Sequence, residues 1–274
     1  MSLGTILGVL FGFGLFASAI VMATDNYGMF LSIPSAIMVI GGTLAASFIA
    51  YQARYVLLAT KEIGGLFIKG RVDRKLLTVE TGKIIRWGFL VKKSGILALE
   101  RELKSGDKQD HFLNYGVELV ITGYTGDEVR AMLTAASEGE YFRKMVLVDI
   151  LKSMSGTAPA FGMIGTLVGL IIMLQSLGAD PSGLGAGLGV ALLTTLYGVL
   201  FARLIFLPAS TKLAQKEGIQ RFRNFLVAEG FAMLAEHKSP RFMQDKMNSY
   251  LDPAIHYKID DDASANSGGE KEAA

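Results

Sequence analysis

The polar side chains best placed for chemistry are three threonines, Thr166, Thr194 and Thr195, which lie inside long apolar stretches of the chain. Hydroxyl oxygens are suitable ligands for a hard cation that has shed part of its water. A threonine in a helix also commonly donates its hydroxyl to the carbonyl one turn earlier. Spacing alone favours this structural interpretation and leaves cation binding as the alternative.

The sequence contains few candidate residues for redox chemistry, metal binding or enzyme catalysis. The chain has no cysteine, which excludes disulfides, thiolate metal sites and thiol catalysis. Its three histidines, His111, His237 and His256, lie outside every apolar stretch, and no pair has the spacing of metal ligands on a helix. No combination of nucleophile, base and cofactor motif is present. We therefore expect no catalytic residue, no enzyme activity, no metal, no cofactor and no nucleic-acid partner.

The elements that must position the threonines are hydrophobic helices. Of the 274 residues, 51% are hydrophobic and 19% are charged, and the mean hydropathy is +0.39. A hydrocarbon core about 30 Å thick takes roughly 20 residues of helix. Stretches of this length, free of charged residues except Arg203, are 3–23, 31–51, 154–177 and 184–207. The sequence predicts an all-α integral membrane protein with four transmembrane helices.

The basic residues predict how these helices are oriented. Residues 54–152 hold 17 Lys and Arg, residues 203–271 hold 10, and the connections 24–30 and 178–183 hold none. By the positive-inside rule both connections face outward and both termini are cytoplasmic.

The same pattern predicts five regions along the chain. They are a first transmembrane hairpin (1–53), a cytoplasmic domain (54–153), a second hairpin (154–208), a cytoplasmic helical segment (209–259) and a disordered tail (260–274).

Apolar residues at helical spacing predict cytoplasmic helices over 54–68, 76–90, 112–121 and 128–133. Residues 140–154 run into the third span without a Gly or Pro break, and 210–235 continue beyond the fourth. We therefore expect the third and fourth helices to extend into the cytoplasm. Pro159 and Pro208 mark the cytoplasmic ends of these spans, either as boundaries or as hinges.

Glycines recur at four-residue spacing in three of the predicted spans, at Gly4, Gly8 and Gly12, at Gly165 and Gly169, and at Gly185 and Gly189. This spacing lets helix backbones approach closely, either within one chain or between copies. Four helices cannot bury all of these faces against one another, so the sequence indicates oligomerisation.

No predicted span contains Asp or Glu. Proteins that move cations usually keep an ionisable carboxylate in the membrane core. Either the chain is not an ion pathway or a partner supplies the carboxylate.

Two long segments resemble the flagellar stator family of MotA and PomA: APAFGMIGTLVGL at 158–170 and ALLTTLYG at 191–198. GVELV at 116–120 and DEVR at 127–130 resemble the cytoplasmic domain of the same family, and the resemblance extends to nearly everything before the acidic tail. It implies that several copies, expected to be five, surround the paired helices of a MotB or PomB partner that carries an essential aspartate. It also implies that the complex lies in the bacterial inner membrane, that ion flow turns this ring and that the cytoplasmic domain pushes the rotor protein FliG.

The resemblance also implies roles for individual residues. Thr166, Thr194 and Thr195 match threonines that line the ion pathway, and Pro159 and Pro208 match prolines that take part in torque generation. Threonine at all three positions favours sodium somewhat over protons as the coupling ion.

The rotor contact is expected among charged residues that the family places in the cytoplasmic domain, namely Lys92, Lys93, Glu100, Arg101 and Glu102. Arg101 stands where sodium-driven relatives tend to have an acid, so the polarity of the charge pairing stays open.

Two alternatives remain. One is an ExbB- or TolQ-like energiser, although these typically have three spans and lack the tight outward connection at 24–30. The other is a self-contained channel or transporter, which the missing carboxylate and the absence of repeated halves disfavour.

Overall fold

The computed structural model describes residues 3–68, 74–105, 110–176 and 181–259. In these ranges the regular elements are all helical and none is a strand. The α-helices are α1 (Leu3–Ala23), α2 (Ile33–Ala36), α3 (Gly42–Ala50), α4 (Ala53–Ile68), α5 (Arg74–Ser94), α6 (Leu97–Ser105), α7 (His111–Thr122), α8 (Gly126–Ser176), α9 (Pro181–Leu200), α10 (Leu207–Ala235) and α11 (Pro240–Asn248). The predicted tail 260–274 lies outside the described residues.

The helices form two compact units. The first unit comprises Met1–Arg71 and Arg143–Lys216, and the second comprises Val72–Phe142 and Glu217–Ala274, each in its described residues. The long helices α8 and α10 contribute residues to both units.

Three helical segments of the described chain are long and apolar enough to cross a membrane: Tyr27–Ala50, Gly126–Gln175 and Leu184–Ala235. Helix α1 has 21 residues, and its stretch Leu10–Ala23 forms a shorter apolar helix. Many large apolar side chains on these helices are exposed, including those of Leu10, Phe11, Met163, Leu167 and Leu174. A helix whose surface is apolar in this way is suited to contact with lipid.

A compact core in the first unit holds α4, α8 and α10 together. It contains Val56 and Ala59 of α4, Ile150, Leu151 and Met154 of α8, and Ala209 and Leu213 of α10. Helix α4 therefore packs with its buried stripe against the two long helices.

Residues 140–154 run without a break into the apolar residues that follow them in α8, and α10 continues directly from the apolar residues before it, as the sequence predicts. Pro159 lies inside α8, and Pro208 is the second residue of α10. The turn before Pro208, Phe201–Phe206, is π-helical, and the N–H of Leu207 bonds to the carbonyl of Ala202, five residues back. A proline ring clashes with the carbonyl four residues earlier in an α-helix, and the wider turn relieves that crowding.

The core of the second unit is built around aromatic rings and close glycine contacts. The rings of Trp87 and Phe231 have centroids 5.7 Å apart. A Cβ added at Gly116 would overlap the Phe231 ring, and one added at Gly230 would lie 2.5 Å from Ile84. These contacts join α5, α7 and α10.

A buried ion network fastens the same three helices. The guanidinium of Arg223, only 3% exposed, lies 2.5 Å from Asp110 Oδ2 and 3.1 Å from Glu80 Oε2. Asp110 also caps α7 by accepting hydrogen bonds from the N–H groups of Phe112 and Leu113. Glu80 Oε2 has no hydrogen bond of acceptable geometry, so its contact with Arg223 acts through charge.

Candidate functional site

Helices α8 and α9 meet along a seam in which glycine is required. An ideal Cβ on Gly165 would lie 2.6 Å from the Thr194 side chain, and one on Gly169 would lie 2.6 Å from the backbone nitrogen of Ala191. Both distances are shorter than real contacts allow, so only a hydrogen fits. The predicted close approach at Gly165 and Gly169 therefore occurs within one chain.

The other two sets of spaced glycines behave differently. Gly8, Gly185 and Gly189 have no atom within 4 Å of the place where a Cβ would stand, and a Cβ at Gly12 would make an ordinary contact with Leu204 at 3.4 Å. Gly187 turns into the seam instead, where an added Cβ would lie 2.8 Å from Met173 N.

The seam brings two of the three predicted threonines together. Thr166 Oγ1 of α8 lies 2.5 Å from Thr195 Oγ1 of α9, and this contact is exposed. Thr166 Oγ1 also lies 3.1 Å from the carbonyl oxygens of Gly162 and Ala191. A single hydroxyl proton cannot serve three acceptors at once, so oxygen lone pairs remain available at this point. We call Thr166 and Thr195 the threonine pair.

Thr194 is placed differently from the pair. Its side chain is fully buried, and its hydroxyl lies 2.9 Å from the carbonyls of both Val190 and Ala191. The bond to the carbonyl one turn back that the sequence suggested for each threonine is present at Thr166 and Thr194. Thr195 instead bonds across to α8.

Sequence reasoning missed Tyr197 and Ser35. The Tyr197 hydroxyl donates to the carbonyl of Phe30 at 2.5 Å and accepts from the Ser32 N–H at 3.1 Å. The Ser35 hydroxyl is buried and points to the carbonyl of Val190 at 3.4 Å. A tyrosine in an apolar span could have indicated such a contact from the sequence, because a buried tyrosine hydroxyl usually has a hydrogen-bond partner.

The arrangement offers neutral oxygen ligands and no charge of its own. Among the described residues, no group of three or more His, Asp or Glu could hold a metal. A cation at the threonine pair would meet hydroxyl and carbonyl dipoles, which suit a hard cation but do not neutralise it.

The predicted rotor-contact residues lie in the second unit, where α5 ends and α6 begins. Lys92 and Lys93 are in the last turn of α5 and Glu100 is in the first turn of α6. Each charge thus sits at the helix end whose dipole favours it. All three side chains are exposed, as are those of Arg101 and Glu102.

Perturbed pKa values in the second unit come from ion pairs and a helix cap. Burial lowers the pKa of Arg130, but the charge of Glu229 and a 2.7 Å hydrogen bond to it raise the value on balance. The backbone N–H of Thr125, at 2.9 Å, and the Thr125 hydroxyl lower the pKa of Glu128. Thr125 and Glu128 form a capping box at the start of α8.

Residues 104–223 match the model of the MotA/TolQ/ExbB proton channel family. The chain is 31% identical over 252 residues to chemotaxis protein PomA of Vibrio alginolyticus, covering 92% of this chain and 96% of that protein. It therefore belongs to the MotA/TolQ/ExbB proton channel family. Motility protein A of Borreliella burgdorferi is 30% identical over 256 residues, covering 92% of this chain and 95% of that protein.

Solved structures show the same fold. The C. jejuni MotAB structure matches with a TM-score of 0.82 and 21% identity, covering 92% of this chain and 97% of that one. The flagellar MotAB stator complex from Bacillus subtilis matches with a TM-score of 0.78 and 22% identity, covering 90% and 95%.

Family membership confirms several predictions. The chain is a multi-pass inner-membrane protein of all-helical fold and a stator-type subunit rather than an enzyme. The resemblance to the MotA and PomA stator proteins is confirmed as well.

Proposed function

We propose that this chain is the channel-forming stator subunit of a bacterial flagellar motor and couples inward cation flow to torque on the rotor. The observation that supports this most directly is the threonine pair, a set of neutral oxygens between two tightly packed apolar helices. Expression in a non-motile strain that lacks its own stator subunit should restore swimming when a matching partner is present. Restoration of another ion-driven process instead would favour the ExbB- or TolQ-like alternative.

The partner is a MotB- or PomB-like single-span protein whose membrane aspartate neutralises the cation. This follows from the absence of Asp and Glu in the apolar stretches 31–51 and 184–207. The open glycine faces at Gly185 and Gly189 suit close contact with other helices, in a homo-oligomer of five copies around the partner.

Ion flux measured in liposomes tests this requirement for a partner. The purified chain alone should give no cation flux, and the chain purified with its partner should. Flux from the chain alone would support a self-contained channel and contradict the proposal.

The membrane topology has four spans, with α1 as the first and both termini in the cytoplasm. On this topology residues 54–153 form the rotor-facing domain. Because the chain has no cysteine, single cysteines report accessibility cleanly. A cysteine at Asn26 should react with an impermeant reagent in intact cells, and one at Lys258 only after permeabilisation. The reverse pattern would overturn this topology.

Sodium is the coupling ion, with Thr166 and Thr195 as direct ligands and Thr194 holding the Ala191 carbonyl in place. Sodium must exchange water for fixed oxygens, whereas a proton needs only the partner's carboxylate and a water chain. Swimming speed measured against external sodium at fixed pH should rise and saturate, and T195A and T194A should both weaken this dependence. Motility indifferent to sodium and to both substitutions would reject sodium.

Torque passes through Pro159 and Pro208 as hinges and reaches FliG through the exposed charges at the α5–α6 turn. One elementary charge crossing about 100 mV releases roughly 2.3 kcal/mol, enough to bias a conformational step. Reversal of Lys92, Lys93 and Glu100 should impair swimming without lowering the membrane level, because exposed charges contribute little to stability. K61E, on the exposed face of α4, is the control. Normal swimming of the triple variant would remove these charges from the mechanism.

A further inference from the structure

Two hydrogen bonds join α9 to the connection between α1 and α2. The Tyr197 hydroxyl donates to Phe30 O at 2.5 Å and accepts from the Ser32 N–H at 3.1 Å, using both its proton and a lone pair. Ser32 is also the N-cap of α2, with its hydroxyl accepting from the Ser35 N–H. Tyr197 therefore fixes the point at which α2 begins.

The contacts continue from α2 into the interior of α9. The hydroxyls of Ser32 and Ser35 are 2.8 Å apart, and Ser35 Oγ lies 3.4 Å from the carbonyl of Val190. That carbonyl also accepts the hydroxyl of Thr194 at 2.9 Å. Side chains of α2 and α9 thus share the Val190 carbonyl as an acceptor, and the contact from Ser35 is the longer of the two.

A second shared carbonyl completes the connection to the threonine pair. Ala191 O lies within hydrogen-bonding distance of both the Thr194 hydroxyl, at 2.9 Å, and the Thr166 hydroxyl, at 3.1 Å, and Thr166 Oγ1 lies 2.5 Å from Thr195 Oγ1. We call the whole set the hydroxyl network; its members are Tyr197, Ser32, Ser35, Thr194, Thr166 and Thr195.

The hydroxyl network cannot carry protons from end to end. A proton wire needs each member to both accept and donate, and the Val190 and Ala191 carbonyls only accept. What the network can do is hold geometry, because satisfied buried polar contacts specify one arrangement of the helices they join.

We infer that Tyr197 and Ser35 are positioning residues for the threonine pair. Their hydrogen bonds join α2 and the connection before it to α9. These bonds fix the rotation of α9 about its own axis, so that Thr195 faces Thr166. This role rests on the proposed function, in which the pair binds the coupling ion.

The substitutions that test this role are Y197F and S35A, which each remove one hydroxyl. S47A is the matched control, because Ser47 is also buried in the second apolar segment but bonds only to the carbonyl of Thr43 in its own helix. Swimming speed is measured against the concentration of the coupling ion. Y197F should raise the half-saturating concentration about fivefold, the usual effect of one lost hydrogen bond, with maximum speed largely kept. S35A should raise it less, in keeping with its longer contact.

A purely structural role would lower the membrane level or maximum speed and leave the half-saturating concentration unchanged. The inference is overturned if Y197F and S35A give the same half-saturating concentration as S47A.

Hydrogen exchange of the peptide 27–36 provides a readout that does not need ion-driven motility. The Ser32 amide loses its acceptor in Y197F, so its exchange should quicken about fivefold, with no change in S47A. If the wild type shows no ion-dependent swimming, the proposed function fails while this measurement still reports on the contact. Unchanged exchange in Y197F would contradict the hydrogen bond between Ser32 N–H and the Tyr197 hydroxyl.

Discussion

Gly169→Ala tests whether the α8–α9 seam requires glycine. The added Cβ would stand 2.6 Å from Ala191 N and 2.7 Å from Gly187 O, well inside the 3.4 Å at which ordinary contact begins. Both atoms belong to the backbone of α9, so no side chain can move aside and the two helices must separate. Overpacking of this kind costs about 1–3 kcal/mol, and we take the upper end because two backbone atoms are struck at once. Alanine returns up to about 1 kcal/mol through its better helix propensity.

The net cost of about 2 kcal/mol should lower the melting temperature of the purified protein in detergent by roughly 4–8 °C, followed by circular dichroism. Gly156→Ala is the matched control, since Gly156 lies on the same helix as Gly169 and its Cβ would meet nothing within 4 Å. The control should melt at or slightly above the wild-type temperature. If the two variants melt together, the seam does not depend on the absence of a side chain, and the close approach of the helices is refuted.

Two further predictions concern the second unit. R223M should destabilise this unit by about 3 kcal/mol, because it leaves the Glu80 carboxylate buried without its positive partner, and E80Q added to R223M should restore part of that stability. The fluorescence of the single tryptophan, Trp87, follows this unfolding. A double variant no more stable than R223M would contradict this account of the ion pair. The lowered pKa of Glu128 means that its contribution to stability is present above the unfolded pKa and is lost as the pH falls through the lower folded pKa. T125A keeps the backbone N–H, which is the larger cause, and removes only the hydroxyl, so it should move the Glu128 pKa part of the way back toward its ordinary value in an NMR titration. An unmoved titration would exclude the hydroxyl as a cause.

Hydrophobic patterning predicted most of the helices. The apolar spacing of 54–68 and the unbroken run from 140 into the third span correspond to α4 and α8. The π-helical turns at Ile37–Gly41 and Phe201–Phe206 were not predictable in this way. An extra residue in a helical turn leaves the composition of the segment unchanged, and its position depends on what the helix packs against.

The candidate site was predictable in residue type but not in arrangement. Threonines in apolar spans identified the region, yet neighbouring residues on a helix point about 100° apart, so Thr194 and Thr195 meet different residues of α8, namely Gly165 and Thr166. The glycine contacts of the seam set the close approach of α8 and α9 that lets Thr195 reach Thr166. Tyr197 was missed because its partner, Ser32, lies 165 residues away in the sequence.

The two acceptors shared within the hydroxyl network, Val190 O and Ala191 O, belong to the main chain. Substitutions at these positions keep both main-chain oxygens, so the acceptors are not lost and side-chain size becomes the main constraint. Replacement of Ala191 is constrained by its closeness to Gly169, whereas Val190 is half-buried and has more freedom. In a saturation library we therefore expect the positions that supply hydroxyls, above all 197, to accept few other side-chain chemistries. We expect the acceptor positions 190 and 191 to be restricted mainly by side-chain size.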